Sequence, residues 1–235
     1  MTRKMYRCFR DNTMINVPYN QNEEEEERSP FQPDPSTDDP LKHSSQLSSE
    51  VQRILFETRT LLIFGEITIQ LAQTLCAQML ALEYKNKEPI RILINSPGGH
   101  VEAGDTIHDM IKFIRPTIYM LGTGWVASAG VHIFLAAQRN NRYCLANTRF
   151  MIHQPLGGIG GPASDIAIEA REIIKVRNRL NHLIAQETNT SLEQVEKDTD
   201  RNYWMTAEEA QNYGLVSHII HRQDDFIPCK PRQKK

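Results

Sequence analysis

The sequence predicts an α/β fold with a mostly parallel sheet and helical crossovers. Short apolar runs typical of buried strands alternate with longer segments whose apolar residues recur every three or four positions, as on one face of a helix. Strands joined by helical crossovers pair in parallel, because each crossover returns the chain to the same end of the sheet. With 235 residues, 40% of them hydrophobic, the chain can fill one sizeable core.

The predicted strands are short runs rich in Ile, Leu, Val and aromatic residues, which suit the half-buried surface of a sheet. In chain order they are 60–67, 90–94, 117–121, 143–145, 149–153 and 216–220. The run 90–94 (IRILI) is the clearest buried strand, since it is apolar on both sides of its one arginine and ends at a Pro-Gly-Gly turn.

The predicted helices follow from apolar residues at helical spacing, as at i, i+3, i+4, i+7 and i+8 in the second of them. In chain order they are 47–58, a helix around 72–80, 101–114, 125–137, 164–187 and 207–213. Ser164 and Thr206 are predicted N-caps, because their hydroxyls can accept hydrogen bonds from the free N–H groups of a helix start. Gly214 is predicted to close the last helix.

Composition divides the chain into three parts. Residues 1–44 are predicted to be disordered, because five consecutive glutamates (Glu23 to Glu27) and the prolines that follow leave little apolar surface to bury. Residues 45–226 form one predicted domain. Residues 227–235 form a short basic tail that is expected to be solvated.

Charge and motif content exclude several classes of function. The net charge of −2 gives no reason to expect nucleic acid as a partner, and the apolar runs are far shorter than the roughly 18 residues of a membrane span. The four cysteines are isolated, which argues against a zinc site and fits a reducing compartment, so we expect a cytoplasmic protein. No phosphate-binding loop motif occurs, and no metal site is predicted, since His218 and His221 lack nearby acidic or cysteine partners.

Three features could carry chemistry. Ser128 lies among small residues where a strand leads into a helix, so free N–H groups of the helix start could stabilise an oxyanion beside its hydroxyl. His153 ends a predicted strand, at a sheet edge where sites on α/β folds form, and with Ser128 it would make an activated nucleophile. The Ser96–Gly99 turn lets the backbone approach a ligand closely. Taken singly, each also fits a structural role: close helix packing, a hydrogen-bonded core histidine and a plain turn.

Six segments occur in one order between about residues 61 and 216. They are INSPGG (94–99), WVASAG (125–130), MIHQPLGG (151–158), AREI (170–173), LEQVEKDTDR (192–201) and EEAQNYGLV (208–216). Together they resemble the proteolytic subunits of the Clp protease family. The resemblance implies the ClpP fold of the crotonase-like superfamily, with a protruding handle helix, and makes residues 45–226 a peptidase domain.

The resemblance also implies a serine endopeptidase site. Ser128 would be the nucleophile, His153 its general base, and the backbone N–H groups of Gly99 and Ala129 the oxyanion hole. Asn202 stands where the family's motif has the aspartate of the triad. An amide oxygen can accept the imidazole N–H but supplies no negative charge, so we expect reduced activity.

Assembly and partners follow from the same resemblance. Gly157 and Gly158 would begin the handle through which two rings of seven subunits stack, as a homo- or hetero-oligomer. Asp200 and Arg201 would be the charged pair that couples ring contact to the site, and Asp200 is also close enough in sequence to replace the missing aspartate. An AAA+ unfoldase would use ATP and feed unfolded protein to the barrel, while this chain would need no cofactor.

Two other functions are compatible with these features. A weakly active or non-catalytic subunit that assembles with an active paralogue would explain Asn202 and the acidic N-terminal segment. A crotonase-type acyl-CoA enzyme would share the sheet and the oxyanion turn, but it would not need a Ser/His pair at these positions.

Overall fold

A computed structural model describes residues 6–7, 14–15, 48–158 and 160–226 of the chain. It divides the chain into two units, Met1–Leu47 and Ser48–Lys235. The predicted basic tail lies outside the described residues.

In the first unit, two dipeptide strands form an antiparallel pair. They are β1 (Tyr6–Arg7) and β2 (Met14–Ile15). This pair lies within residues 1–44, for which the composition predicts disorder. The rest of that segment lies outside the described residues, so its disorder stays a prediction.

The second unit is built on a seven-stranded sheet. Its strands are β3 (Thr60–Phe64), β4 (Ile90–Ser96), β5 (Ile118–Ala127), β6 (Arg142–Leu145), β7 (Arg149–Ile152), β8 (Tyr203–Met205) and β9 (His218–Ile220). Their order is β3-β4-β5-β6-β9, with β7 paired to β5 and β8 paired to β7. The pairing of β7 with β8 is antiparallel and the other pairings within this sheet are parallel. The predicted α/β class with a mostly parallel sheet is confirmed.

Helices connect and cover these strands. They are α1 (Ser49–Glu57), α2 (Ile69–Lys85), α3 (Val101–Phe113), α4 (Ala129–Phe134), α5 (Ala163–Thr188), α6 (Leu192–Thr199) and α7 (Ala207–Tyr213). One hydrophobic cluster joins the inner strands to α2, α3 and α4. Within it the rings of Phe134 on α4 and Phe150 on β7 pack edge to face, with their centroids 5.3 Å apart. This contact fixes α4 against the strand that precedes His153. In the part of the chain described, no helix is long and apolar enough to cross a membrane.

Strand β5 is longer than predicted and replaces the start of the predicted helix 125–137. Met120 to Gly122 pair with β6, whereas Trp125 to Ala127 pair with β7. Gly124, at φ +61°, lies between the two halves and lets the strand change direction. The ladder with β7 keeps residues 125–127 extended, so the helix begins only at Ala129. The prediction of a helix from 125 was therefore wrong.

Two predicted caps have different outcomes. Ser164 is not an N-cap, because the carbonyl of Pro162 already accepts hydrogen bonds from Asp165 N and Ile166 N, and α5 begins at Ala163. Thr206 forms a complete capping box at the start of α7, and Gly214 at φ +91° closes that helix, as predicted.

Helix α5 is the handle helix. Its 26 residues span about 39 Å, and three isoleucines of its first half stay 40–56% exposed: Ile166, Ile168 and Ile174. The second half of α5 packs against the rest of the domain, and its residues Asn181 and Ile184 are buried. Gly157 and Gly158 precede the helix outside any strand. The described residues provide no neighbouring strand for this segment to pair with.

The closure of α7 by Gly214 can be tested by adding one methyl group. An alanine Cβ there would lie 2.4 Å from the carbonyl oxygen of Thr188, on a backbone at φ +91° that L residues avoid. We expect Gly214→Ala to lower the free energy of unfolding by about 3 kcal/mol, measured by chemical denaturation. Gly158→Ala is the control, because its Cβ would meet no described residue within 4 Å. Equal stability of the two variants would contradict this explanation.

Candidate active site

The strand pairings bring three distant side chains together. Ala127 pairs with Met151 in the parallel ladder, and the next residue, Ser128, donates its N–H to the carbonyl of Met151 at 2.9 Å. Ile152 pairs with Tyr203 in the antiparallel ladder. Ser128, His153 and Asn202 are the residues that directly flank these pairs, so the sheet itself places them side by side.

The three side chains form a continuous chain of contacts. His153 Nε2 lies 2.7 Å from Ser128 Oγ, and His153 Nδ1 lies 3.0 Å from Asn202 Oδ1. An amide oxygen can only accept a hydrogen bond, so Nδ1 carries the proton in this arrangement. Nε2 is left with its lone pair toward the hydroxyl, which is the form that a general base requires.

Ser128 has a strained backbone. Its φ of 54° and ψ of −123° are unusual for a residue with a side chain, and they occur where β5 turns into α4. The small residues on both sides allow this turn. It presents the hydroxyl at the end of the sheet, half-buried and pointing at His153.

The glycine turn after β4 packs directly against Ser128. A Cβ on Gly98 would lie 2.7 Å from Ser128 Cβ, and a Cβ on Gly99 would lie 2.3 Å from the carbonyl oxygen of Ile67. Both positions have positive φ, +102° and +149°. Only glycine fits this close approach. The assignment of an oxyanion hole to the N–H groups of Gly99 and Ala129 stays a prediction.

Gly98→Ala tests this close approach. The added methyl group would push on Ser128 Cβ and on the carbonyl oxygen of Ala127, which is 3.0 Å from the added atom. We expect the rate of covalent modification of Ser128 by a fluorophosphonate to fall about 10²-fold, since small displacements of a reacting atom have effects of this size. Gly160→Ala, whose added Cβ would have no atom of the described part of the chain within 4 Å, should react at the wild-type rate. Unchanged reactivity of Gly98→Ala would show that the turn does not position Ser128.

Asn202 lies in the segment between α6 and β8, and Gln154 anchors this segment next to His153. Gln154, next to His153, donates its backbone N–H to the carbonyl of Thr199 (2.6 Å) and its side-chain amide N–H to the carbonyl of Asp200 (2.7 Å). The carboxylate of Asp200 lies 3.7 Å from Arg177 and 4.0 Å from Arg201. The described partner of His153 Nδ1 is therefore Asn202, and Asp200 faces arginines.

A small cavity opens beside the Ser128 hydroxyl. Its volume is about 40 Å³. Its walls come from α3, α4, β7, the segment after β7 and α5, and they are largely apolar, with Val101, Ala129, Val131, Ile152, Pro155, Leu180 and Ile184 beside Ser128, His153 and His132. The cavity can hold a short side chain beside the Ser128 hydroxyl.

His132 in this wall belongs to a charged cluster that the sequence analysis missed. His132 Nε2 lies 2.7 Å from Asp105 Oδ1, and Arg179 binds both oxygens of Asp105, at 3.0 and 2.5 Å. The ring of His108 stacks on that of His132 at 4.5 Å. Burial alone would raise the pKa of Asp105, but its hydrogen bonds to His132 and Arg179 hold that pKa well below its usual range. The carboxylate is therefore ionised at neutral pH.

A sequence signal for this cluster exists. His108 follows Asp105 by three residues, so the two side chains share one face of α3. Arg179 is 74 residues from Asp105, and no local pattern connects them. Across the described residues, no group of three or more His, Cys, Asp or Glu side chains is arranged to hold a metal ion.

Comparison with known proteins identifies the family. The Clp protease family model matches residues 43–223. The ATP-dependent Clp protease proteolytic subunit 3 of Rhizobium etli is 56% identical over 180 residues, which cover 77% of this chain and 93% of that protein. The proteolytic subunit 2 of Gluconobacter oxydans is 54% identical over 195 residues, with 82% and 87% of the two chains covered.

Solved structures agree with this match. A ClpP1 mutant from Listeria monocytogenes superposes with a TM-score of 0.71 at 55% identity, covering 75% of this chain and 99% of that one. The predicted ClpP fold is therefore confirmed, and the match favours a peptidase over an acyl-CoA enzyme. The family model, the sequence identity and the shared fold together show that this chain belongs to the Clp protease family, as a proteolytic subunit.

Proposed function

We propose that the chain is a serine endopeptidase whose triad is Ser128, His153 and Asn202. The observation that carries this proposal is the unbroken series of contacts from Ser128 Oγ to His153 Nε2 and from His153 Nδ1 to Asn202 Oδ1. It has the nucleophile, base and orienting group that acyl transfer needs, in the right order.

The proposed reaction begins when Ser128 Oγ attacks a peptide carbonyl. His153 Nε2 takes the hydroxyl proton and then gives it to the leaving amine, while Asn202 Oδ1 accepts from Nδ1–H and fixes the ring. The N–H groups of Gly99 and Ala129 are the proposed donors to the oxyanion. Water activated by His153 then hydrolyses the acyl-serine ester and restores the hydroxyl. The chain itself uses no cofactor in this scheme.

The test is hydrolysis of a fluorogenic peptide and of an unfolded protein by the purified, assembled chain. We expect slow hydrolysis of both, and we expect pretreatment with a fluorophosphonate to abolish it, since that reagent blocks an activated serine. Hydrolysis that survives the reagent would contradict a serine mechanism. Absence of hydrolysis from an assembled sample would contradict an active endopeptidase.

We further propose assembly into two stacked rings of seven subunits. The exposed isoleucines on the first half of α5 support a packing role for the handle. Apolar side chains that repeat along one exposed helix are unfavourable in water and mark a surface that packs against another subunit. Gly157 and Gly158 at its base, and Asp200 and Arg201 near the site, are the proposed contacts between rings. The proposed partner is an AAA+ unfoldase that uses ATP and delivers unfolded protein, in the cytoplasm.

A second candidate function is that of a weakly active or non-catalytic subunit beside an active paralogue. Asn202 favours it, because a neutral amide cannot stabilise the imidazolium that forms during attack. Mixed assemblies discriminate between the two functions. If the chain acts only as a scaffold, Ser128→Ala should leave the peptidase activity of a mixed ring unchanged. If the chain contributes to hydrolysis, the same substitution should lower that activity.

A further inference from the structure

We propose that Glu66 and Glu102 are specificity-determining residues, which make the chain prefer peptides that carry a lysine or arginine close to the bond that is cut. This inference rests on the proposed function, since it places a peptide carbonyl at Ser128. Both carboxyl side chains border the glycine turn that packs against the nucleophile, and neither lines the apolar cavity.

Glu66 lies directly against this turn. It follows β3 and precedes Ile67, which forms a parallel bridge with Gly99. A Cβ built on Gly99 would lie 3.0 Å from Glu66 Cγ, so the two residues are in contact range. Glu66 is exposed. Its carboxylate is therefore accessible to a peptide that passes over Gly99.

Glu102 borders the turn from the residues that follow it. It lies in the first turn of α3, and its Oε2 is 3.1 Å from Nδ1 of His100, the residue directly after Gly99. This contact directs the carboxylate back toward the turn. Val101, between the two, lines the cavity beside the Ser128 hydroxyl. The side chain of Glu102 is 75% exposed, so it too is accessible.

The negative charge at the turn is not neutralised by a neighbouring cation. Among the described residues, neither Glu66 nor Glu102 forms an ion pair with a lysine or arginine. The hydrogen bond to Asp105 raises the pKa of the Arg179 guanidinium, and the charge of Glu102 adds to this effect. Because Arg179 binds both oxygens of Asp105, its charge is already compensated. The turn therefore attracts cations.

A peptide attacked by Ser128 must pass close to this turn. A Cβ on Gly98 would lie 2.7 Å from Ser128 Cβ, so the turn borders the attacked carbonyl. Three residues span at most about 11 Å of chain, which limits the distance between the Cα atoms of Gly99 and Glu102. A long cationic side chain within two residues of the cut bond can therefore reach one of the carboxylates.

The experiment measures how fast matched peptidyl phosphonates label Ser128 in the assembled, full-length protein. Each pair of probes differs in one residue, which is lysine or Nε-acetyl-lysine, so the charge changes while the chain length is kept. One pair carries this residue second from the phosphorus and another pair third, because side chains of an extended peptide alternate in direction. The reaction is run at about pH 8, above the ordinary pKa of histidine.

For the wild-type protein we expect the lysine probe to react about fivefold faster in at least one pair. A charge about 6 Å away in water changes an affinity about threefold, and two partly screened charges act together here. The ratio should fall toward one at about 1 M salt, where the Debye length is about 3 Å. A ratio below about twofold in both pairs, or one that does not respond to salt, would overturn the proposal.

The double variant Glu66→Gln/Glu102→Gln removes both charges at nearly constant size. We expect its ratio to fall to about one, with each single variant in between. Glu193→Gln is the matched control, since Glu193 is also an exposed glutamate in the first turn of a helix, at the opposite end of α6 from the segment with Asn202. It should keep the wild-type ratio. A wild-type ratio in the double variant would overturn the assignment.

The uncharged probe separates this inference from the proposed function, together with a small alkyl fluorophosphonate that makes no contact with the two glutamates. If neither reagent labels Ser128 in the wild-type protein, the proposed function falls and the inference falls with it. If both label Ser128 while lysine and acetyl-lysine probes react at equal rates, only the specificity inference falls.

Discussion

Replacement of Ser128 by alanine should reduce kcat for peptide hydrolysis by about 10⁴-fold or more. The variant keeps the strained turn, because the backbone contact from residue 128 to the carbonyl of Met151 does not involve the hydroxyl. It removes the atom that lies 2.7 Å from His153 Nε2. Without a nucleophile the acyl-enzyme route is closed, and only binding and oxyanion stabilisation remain. The measurement is the turnover of a fluorogenic peptide.

Ser49→Ala controls for the effect of any serine substitution on folding, since Ser49 is exposed at the start of α1. It should retain wild-type turnover. Circular dichroism and gel filtration establish that both variants fold and assemble. If Ser128→Ala keeps more than a tenth of the wild-type turnover, the assignment of the nucleophile is wrong.

Asn202→Asp should increase kcat by about 10²-fold. The carboxylate would accept from the same Nδ1–H that Asn202 Oδ1 meets at 3.0 Å, and it would add the charge that stabilises imidazolium. In a serine protease where asparagine replaced the natural aspartate, the loss was about 10⁴ and reflected the wrong histidine tautomer. Here the amide oxygen faces Nδ1 and already selects the correct tautomer, so we expect a smaller gain than that figure.

The same substitution at Asn212, exposed on α7, is the matched control and should leave kcat unchanged. Asn202→Ala should lower kcat, because it removes the acceptor that orients the ring. These rates are measured with the same fluorogenic peptide under saturating conditions. A decrease of kcat in Asn202→Asp would contradict the role given to residue 202, and it would point to a site adapted to a neutral amide.

Most of the fold follows from short-range pattern in the sequence. Apolar runs such as 90–94 became strands, and Thr206 and Gly214 delimit α7 as predicted. The failures come from interactions between distant segments. Residues 125–127 have small and apolar neighbours that favour a helix, but pairing with β7 keeps them extended. Strand β8 and helix α6 were not predicted from pattern, since three residues of strand carry too little periodic signal.

The site was predictable to a similar extent. The order of motifs led to Ser128, His153 and Asn202, and the strand ladders place them within hydrogen-bonding distance. The sequence could not decide between Asn202 and Asp200 as the partner of His153, because the two are only two residues apart. The three-dimensional structure decides it, since Asn202 Oδ1 lies 3.0 Å from His153 Nδ1. The cluster of Asp105, His132 and Arg179 was missed since three separate helices supply it.

The most direct test of the central claim is to identify the residue that a fluorophosphonate modifies in the wild-type, assembled protein. Intact-mass and peptide-mapping mass spectrometry give both the number of adducts and their position. We expect one adduct per chain, on Ser128, formed even though Asn202 supplies no charge. An assembled sample without an adduct, or with the adduct on another residue, would contradict a working Ser128–His153–Asn202 triad.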